Sequence, residues 1–258
     1  MLAIMSATHE ELAAIVSSLT DVATRESGCR HYHRGRLLGT EVVAVFSRWG
    51  KVAAAATATH LISSCAATRI VFSGVAGAVS PDLGIGDVVV GSALLQHDMD
   101  ATPLYPRYEV PLIGKARFTP DAGIRAELLT AARTFLADDL PLSVPATQLE
   151  HFRIRAPRAV TGVIASGDKF FASAEDLALL RRRLPDAACV EMEGAAVAQV
   201  CEEYGVPFGI VRTISDSGDE NAVHDFPRFS REIAGRYSLG ILSRFLGARS
   251  TIQDKGHA

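Results

Sequence analysis

Ala188-Cys-Val-Glu-Met-Glu-Gly-Ala-Ala-Val-Ala-Gln-Val-Cys-Glu-Glu-Tyr-Gly-Val-Pro-Phe-Gly-Ile-Val-Arg-Thr-Ile214 holds the repeating unit of the fold. Ala188 to Val190 reads as a short strand, Glu193 to Tyr204 as a helix, and Pro207 to Ile214 as a longer apolar strand. Short apolar runs fit buried strands, and longer segments of helical period fit the helices that cover them. The same alternation extends outward in both directions. Towards the N-terminus lie a strand at Ala159 to Ala165 and a helix at Ser173 to Leu184. Towards the C-terminus a long last helix is expected over Phe226 to Leu246.

The first half follows the same pattern. Leu2 to Ser6 is a strand, and Thr8 with Glu11 three residues later forms a capping box for a helix through Leu19. Further strands fall at Glu41 to Phe46, Arg69 to Phe72 and Asp87 to Val90, with an Ala-rich helix over Lys51 to Ser63. Pro120 to Ala137 is a helix, with Thr119 as N-cap and Pro120 at its first position. Alternating strands and helices predict an α/β fold of three layers, with a mixed, mostly parallel central sheet flanked by helices. His97 to Gly114 and Asp139 to Pro157 are proline-rich and irregular, and loops of that length are functional or disordered. Residues 1–248 are expected to form one domain, and 249–258 a frayed tail.

Composition narrows the function classes. The 258 residues are 48% hydrophobic and 21% charged, with a formal net charge of −3. The longest basic run is Arg181-Arg182-Arg183, so neither nucleic acid nor an anionic membrane is expected as a partner. Cys29, Cys65, Cys189 and Cys201 show no metal-ligand spacing and fit reduced thiols of a cytoplasmic protein. The N-terminus lacks a basic region, so no signal peptide is expected, and no apolar run is long enough to span a membrane.

Ligands in open α/β sheets bind at the carboxyl ends of strands. Four places qualify. Glu10-Glu11 follows the first strand, and is either a site carboxylate pair or two acids favoured by a helix dipole. Ser73-Gly74-Val75-Ala76-Gly77 either lets a ligand approach the backbone or makes a tight turn, and no Gly-Lys-Ser/Thr follows to make it a phosphate loop. In Val190-Glu191-Met192-Glu193, two carboxylates face one side of an apolar stretch and need partners or a ligand, unless the strand is an exposed edge. Ser215-Asp216 ends a buried strand, where an Asp is either a carboxyl with raised pKa or a turn former.

Taken together, these places resemble the 5′-methylthioadenosine/S-adenosylhomocysteine nucleosidases of the purine nucleoside phosphorylase superfamily. Ala7-x-x-Glu10-Glu11, Gly50-Lys51-Val52-Ala53-Ala54, Gly84-x-Gly86-Asp87, Ser166-Gly167-Asp168, Val190 to Glu193 and Ile214-Ser215-Asp216 occur in that family's order. The resemblance implies a nucleoside phosphorylase-like sheet, hydrolysis of adenine nucleosides without cofactor or metal, and a homodimer. It implies that Asp216 protonates N7 of adenine and that Glu11 activates the attacking water. Glu193, with Glu191 less directly, would hold the ribose hydroxyls, and Met192 would pack under the ribose. Phe170 would stack on adenine, the Phe171 backbone would bond its edge, and Ser215 would orient Asp216. Val75, Ala76 and Gly77 would line the site, and Phe226 would wall the 5′ end.

The chain departs from the family pattern in places. Val75 replaces a small hydroxyl residue, and Arg48-Trp49 stands where small or aliphatic residues are usual. Arg48 raises the alternative of phosphate-dependent phosphorolysis, although Phe72 occupies the place of an arginine that many phosphorylases carry. The His97 to Pro111 loop differs, which leaves open another 5′-substituted nucleoside of the futalosine type. His97, Asp98 and Asp100 in that loop read either as part of an ordered loop or as metal ligands. A nucleoside-binding sensor is a further alternative, disfavoured because a binder needs neither acid nor base.

Overall fold

A computed structural model of the chain describes the backbone of residues 1–255 and the side chains of 1–247. Strand β1 (Leu2–Ser6) leads into α1 (His9–Ser17), a hairpin of β2 (Thr20–Ser27) and β3 (Arg30–Leu37), and β4 (Thr40–Phe46). Next come α2 (Lys51–Ser63), β5 (Arg69–Ala78) and β6 (Val88–Gln96). Helix α3 (Ala122–Thr134) runs through a π-helical turn, Phe135–Asp139, into α4 (Leu140–Ser143), and α5 (Ala146–His151) follows. Then β7 (Ala159–Ser166), α6 (Ala174–Arg183), β8 (Ala187–Glu191), α7 (Gly194–Tyr204) and β9 (Phe208–Asp216) alternate. The chain closes with α8 (Ala222–Phe229), a second π-helical turn at Ser230–Ala234, and α9 (Gly235–Lys255). Of the tail expected to fray, the backbone to Lys255 is part of α9, and residues 256–258 lie outside the described ones.

The strands form one sheet in the order β2-β3-β4-β1-β5-β8-β7-β6-β9, and β9 also pairs with β5. Five strands therefore close on themselves, while β1 to β4 extend as an open wing. Parallel pairing joins β1 to β4 and β5, β5 to β9, and β7 to β6 and β8. The β2–β3, β3–β4, β5–β8 and β6–β9 pairs are antiparallel. The sheet is mixed and lies between helices, as expected.

Side chains alternate across each strand. Leu2, Ile4 and Val71 join the core shared with α1, α3 and α9. Ala3, Met5, Ile70 and Phe72 face the opposite core, towards α2 and α7. No helix among the described residues is long and apolar enough to cross a membrane.

Several boundaries differ from the sequence reading. The β2–β3 hairpin was not expected, because β2 is polar and exposed along most of its length. Its turn signal is Gly28-Cys29, with φ of 54° and 58°, a two-residue loop whose twist suits a hairpin. Strand β5 does not stop at Phe72: the Ser73–Gly77 stretch stays extended, paired with β9 from Ser73↔Val211 to Gly77↔Asp216. Strand β6 likewise continues past Val90, through a register shift between Gly91 and Ala93. Helix α3 is capped by Asp121, whose carboxylate accepts from Ile124 N at 2.8 Å, and not by Thr119. The final helical segment starts at Ala222 and holds Pro227 within it. The Thr8–Glu11 capping box is formed as expected.

One packing contact is tight enough to test. A Cβ on Gly240 of α9 would lie 2.2 Å and 2.3 Å from ring carbons of Phe135. Gly240→Ala is expected to destabilise the fold by about 1–3 kcal/mol through overpacking. Urea unfolding should show a lower midpoint at unchanged slope.

Candidate active site

Strand ends and the turns after them converge on one pocket of about 590 Å³. Its wall takes Ala7 and Thr8 from the β1–α1 turn, Val75 to Gly77 from β5, and Ser215 and Asp216 from β9. Val190 and Glu191 come from β8, Met192 and Glu193 from the β8–α7 junction, and Lys169 to Phe171 from the turn after β7. Trp49 and Phe226 complete it. Every residue expected in the site lines this pocket except Glu11, which lies directly behind Ala7 and Thr8.

Asp216 is buried, and burial raises its pKa above the usual carboxylate value, against the opposing hydrogen bonds from Ser215 and Gly218. Ser215 Oγ donates to Oδ2 at 2.8 Å, and Gly218 N donates to Oδ1 at 2.9 Å. Gly77 is needed opposite it, because a Cβ there would stand 2.9 Å from Asp216 Oδ1. Nearby charges of Asp225 and Asp219 push the pKa in the same direction as burial.

Glu11 is 1% exposed. Its Oε2 accepts from Ala7 N at 3.3 Å, Thr8 N at 3.1 Å and Thr8 Oγ1 at 3.2 Å. Its Oε1 accepts from Ser238 Oγ of α9 at 3.0 Å. Burial outweighs these donors and the Arg212 charge, and lifts the pKa to about 7.

Glu193 stands just before α7, and its Oε1 accepts from Gly50 N at 2.9 Å. Gly50 precedes α2 with φ of 92°, so a helix N-terminus points its first amide at this carboxylate. Burial first, and then the Glu191 carboxylate, still push the Glu193 pKa up.

Glu191 is different, because its bonds are already filled. Arg212 Nε and Nη2 donate to its Oε2 at 3.2 Å and 2.7 Å. Gly194 N donates to both oxygens, at 2.9 Å and 2.8 Å, and Glu193 N to Oε2 at 3.2 Å. Ser166 Oγ also donates to Oε1. This carboxylate supports the pocket wall.

The aromatic wall is a chain of rings. Phe170 is tilted against Phe226 at 5.7 Å, and Phe226 meets the Trp49 edge at 6.0 Å. Phe171 is buried, with the His97 ring against it at 5.4 Å. Arg48 turns away and donates to Cys29 O at 2.8 Å. In the 97–114 loop, Asp98 is held by Lys51 at 2.6 Å and by Asp168 N at 2.9 Å, and Asp100 by Thr102 and Arg107. Among the described residues no group of three or more His, Cys, Asp or Glu could hold a metal ion.

The sequence reading missed Arg212, which is fully buried and stacks on Phe72 at 4.1 Å. A lone arginine inside an otherwise apolar strand was the signal. Trp49 registered only as a departure, yet it lines the pocket and donates from Nε1 to Ala7 O at 2.8 Å.

A family model for the phosphorylase superfamily matches residues 1–247. The 5′-methylthioadenosine/S-adenosylhomocysteine nucleosidase of Colwellia psychrerythraea is 34% identical over 241 residues, 93% of each chain. The chain belongs to this nucleosidase family. Among solved structures, the Neisseria meningitidis nucleosidase in complex with methylthio-immucillin-A superposes with a TM-score of 0.84 at 31% identity, covering 96% of this chain and 98% of that one. Native futalosine hydrolase of Helicobacter pylori gives 0.81 at 30%, covering 96% and 97%.

The Arg212–Glu191 pair carries a stability prediction. Arg212→Met would leave a buried carboxylate without its cation. A loss of about 3–5 kcal/mol is expected, the range for breaking a buried pair from one side. Chemical denaturation followed by circular dichroism measures it, and a loss below about 1 kcal/mol would contradict the role given to the pair.

Proposed function

We propose that the protein hydrolyses the bond between adenine and ribose in 5′-methylthioadenosine and S-adenosylhomocysteine, giving adenine and the 5′-thioribosyl product. The observation that carries this reading is the set of three buried carboxyls, Asp216, Glu11 and Glu193, all held towards their protonated forms around one aromatic-walled pocket. Family membership agrees with it.

In this reading adenine lies between Phe170 and the Val75–Gly77 stretch, with its edge on the Phe171 backbone. Asp216, oriented by Ser215, gives its proton to N7 as the N9–C1′ bond breaks, so the base leaves neutral. Positive charge then develops on the ribose, as in glycoside hydrolysis. Glu193 holds the ribose hydroxyls above Met192, and its negative form is stabilised by that developing charge. Water adds its oxygen to C1′ and gives a proton to Glu11. The net proton shift from Asp216 to Glu11 is undone through solvent. Phe226 and Trp49 flank the 5′ substituent.

Hydrolysis is favoured over phosphorolysis. Among the cations near the pocket, Lys169 is paired with Asp176 at 2.7 Å, Arg212 with Glu191, and Arg48 points to Cys29. The reading includes one domain over residues 1–248, a homodimer and a cytoplasmic setting, with neither cofactor nor metal.

Release of adenine from both substrates in phosphate-free buffer tests it, with inosine as a comparison. Activity only with phosphate would replace it by a phosphorylase. Turnover of a futalosine-type nucleoside alone would change the substrate. Asp216→Asn is expected to lower kcat by about 10²–10⁴-fold while KM moves little, the usual scale for a lost general acid. Near-normal kcat in that variant would remove Asp216 from the role.

The pH dependence follows from the two groups. Glu11 must be ionised to accept a proton, so kcat should fall as pH drops below about 7. Asp216 must be protonated, so kcat should fall again on the alkaline side. A rate profile from pH 5 to 10 should be bell-shaped, and Glu11→Gln should lose its acid limb together with most activity.

A further inference from the structure

Behind the pocket lies a run of buried hydroxyls that the reaction so far leaves unused. Ser73 Oγ, at the point where β5 passes the wall, donates to Ser238 Oγ at 2.8 Å. Ser238 in turn donates to Glu11 Oε1 at 3.0 Å. All three residues are buried, at 3%, 2% and 1% exposure. Ser6, paired in register with Ser73, adds a buried hydroxyl to the same face of the sheet.

The fold brings α9 unusually near this point. A Cβ on Gly235 would stand 2.9 Å from Glu10 O and 3.1 Å from the Ala14 side chain. That glycine begins α9 directly after the π-helical turn Ser230–Ala234. The first turn of α9 lies against α1, and Ser238 donates to the Glu11 carboxylate from it. π-Helical turns inside α-helices recur at functional positions.

The consequence for Glu11 is directional. With Oε1 tied to α9, Oε2 is left on the side of Ala7 and Thr8, the two residues of this segment that line the pocket. We propose that Ser238, backed by Ser73, is a positioning residue for the water-activating step, fixing Glu11 so that Oε2 faces the pocket. This rests on the reading of Glu11 as the base.

The surroundings keep the effect local. Arg212, from β9, is the charge acting on Glu11, and it favours the ionised form. From α1 itself, Glu10 and His9 are exposed. Strand β1 has no titratable side chain, and Glu41 of β4 is exposed beside Arg34. Of the residues that could titrate on the second π-turn and the start of α9, Arg231 and Arg236 are exposed, Glu232 pairs with Arg228, and burial raises the Tyr237 pKa and so keeps it neutral. Ser238 favours the ionised form of Glu11, so its loss should raise the Glu11 pKa.

The experiment compares Ser238→Ala, Ser73→Ala, Glu11→Gln and the double variant Glu11→Gln/Ser238→Ala in the full chain, with 5′-methylthioadenosine as substrate. Ser238→Ala should lower kcat on the order of 10- to 10²-fold, the scale of a misplaced catalytic group, with KM nearly unchanged. The acid limb of its kcat profile should move to higher pH. Ser73→Ala should move both in the same direction by less. In the Glu11→Gln background, Ser238→Ala should cost nothing further, because it acts through Glu11. An unchanged kcat and limb in Ser238→Ala overturn the proposal, and so does an equal further loss in the double variant. A thermal midpoint that falls while the limb stays fixed overturns it too, in favour of packing alone. Ser73→Ala gives an independent reading should Ser238→Ala fold poorly. Absence of turnover in the unmodified protein would instead defeat the nucleosidase reading, a distinguishable result.

Discussion

The site depends on one buried ion pair. Arg212 has no exposed side-chain surface, and Glu191 has 3%. Taking two charges out of water costs several kcal/mol per ion unless each is well bonded. Both are. The guanidinium reaches Glu191 with two nitrogens, gives Nη1 to Phe72 O and Val211 O at 3.2 Å, and lies over the Phe72 ring. Gly74 makes room for it, since a Cβ there would stand 3.0 Å from Nη1. The pair joins the end of β8 to the middle of β9 across β5, the three strands whose ends form most of the pocket. Glu191 also takes the amides of Glu193 and Gly194, which fixes the start of α7. Met192 and Glu193 therefore project into the pocket from a chain held on both sides.

The same pair sets the chemistry of its neighbours. Glu191 takes the two guanidinium contacts, and the remaining acids near the pocket are left with neutral donors. Asp216 has a hydroxyl and an amide, Glu193 an amide, and Glu11 two hydroxyls and two amides. For all three, burial is the largest influence and lifts the pKa. Polar support without a matching cation gives carboxyls that can hold or take a proton near neutrality, which the proposed acid and base steps require.

Much of this was legible in the sequence, for physical reasons that differ by element. Buried strands such as β1 and β9 announce themselves as apolar runs, and the capping box of α1 is written in Thr8 and Glu11. The β2–β3 hairpin was not legible, because β2 has no apolar face to leave a pattern. The Ser73–Gly77 stretch looked like a turn because glycine is permissive; pairing with β9, with β1 at Ser73 and with β8 at Gly77 keeps it extended, which a single segment cannot reveal. For the site, residue types singled out Glu10-Glu11, Glu191, Glu193 and Asp216 as candidates, and the family resemblance supplied their expected roles. They did not reveal that Glu191 is saturated, since its partners Arg212 and Ser166 lie 21 and 25 residues away. Nor did they reveal Ser238, which is 227 residues from Glu11 and meets it through the packing of α9 on α1.

The two wall residues expected to depart from the family pattern, Val75 and Trp49, act in opposite ways. Val75 is 6% exposed, lines the pocket and packs into the core below it, and it offers the pocket no polar side-chain group. Trp49 is 59% exposed, and its indole is tied by Nε1 to the carbonyl of Ala7. The indole stands edge to Phe226. In the proposed reaction Phe226 flanks the 5′ substituent. Beside it the indole adds a flat apolar surface, anchored on the same turn that presents Glu11. In the proposed reaction, the indole beside the 5′ substituent and the base therefore rest on one short piece of chain, Ala7-Thr8.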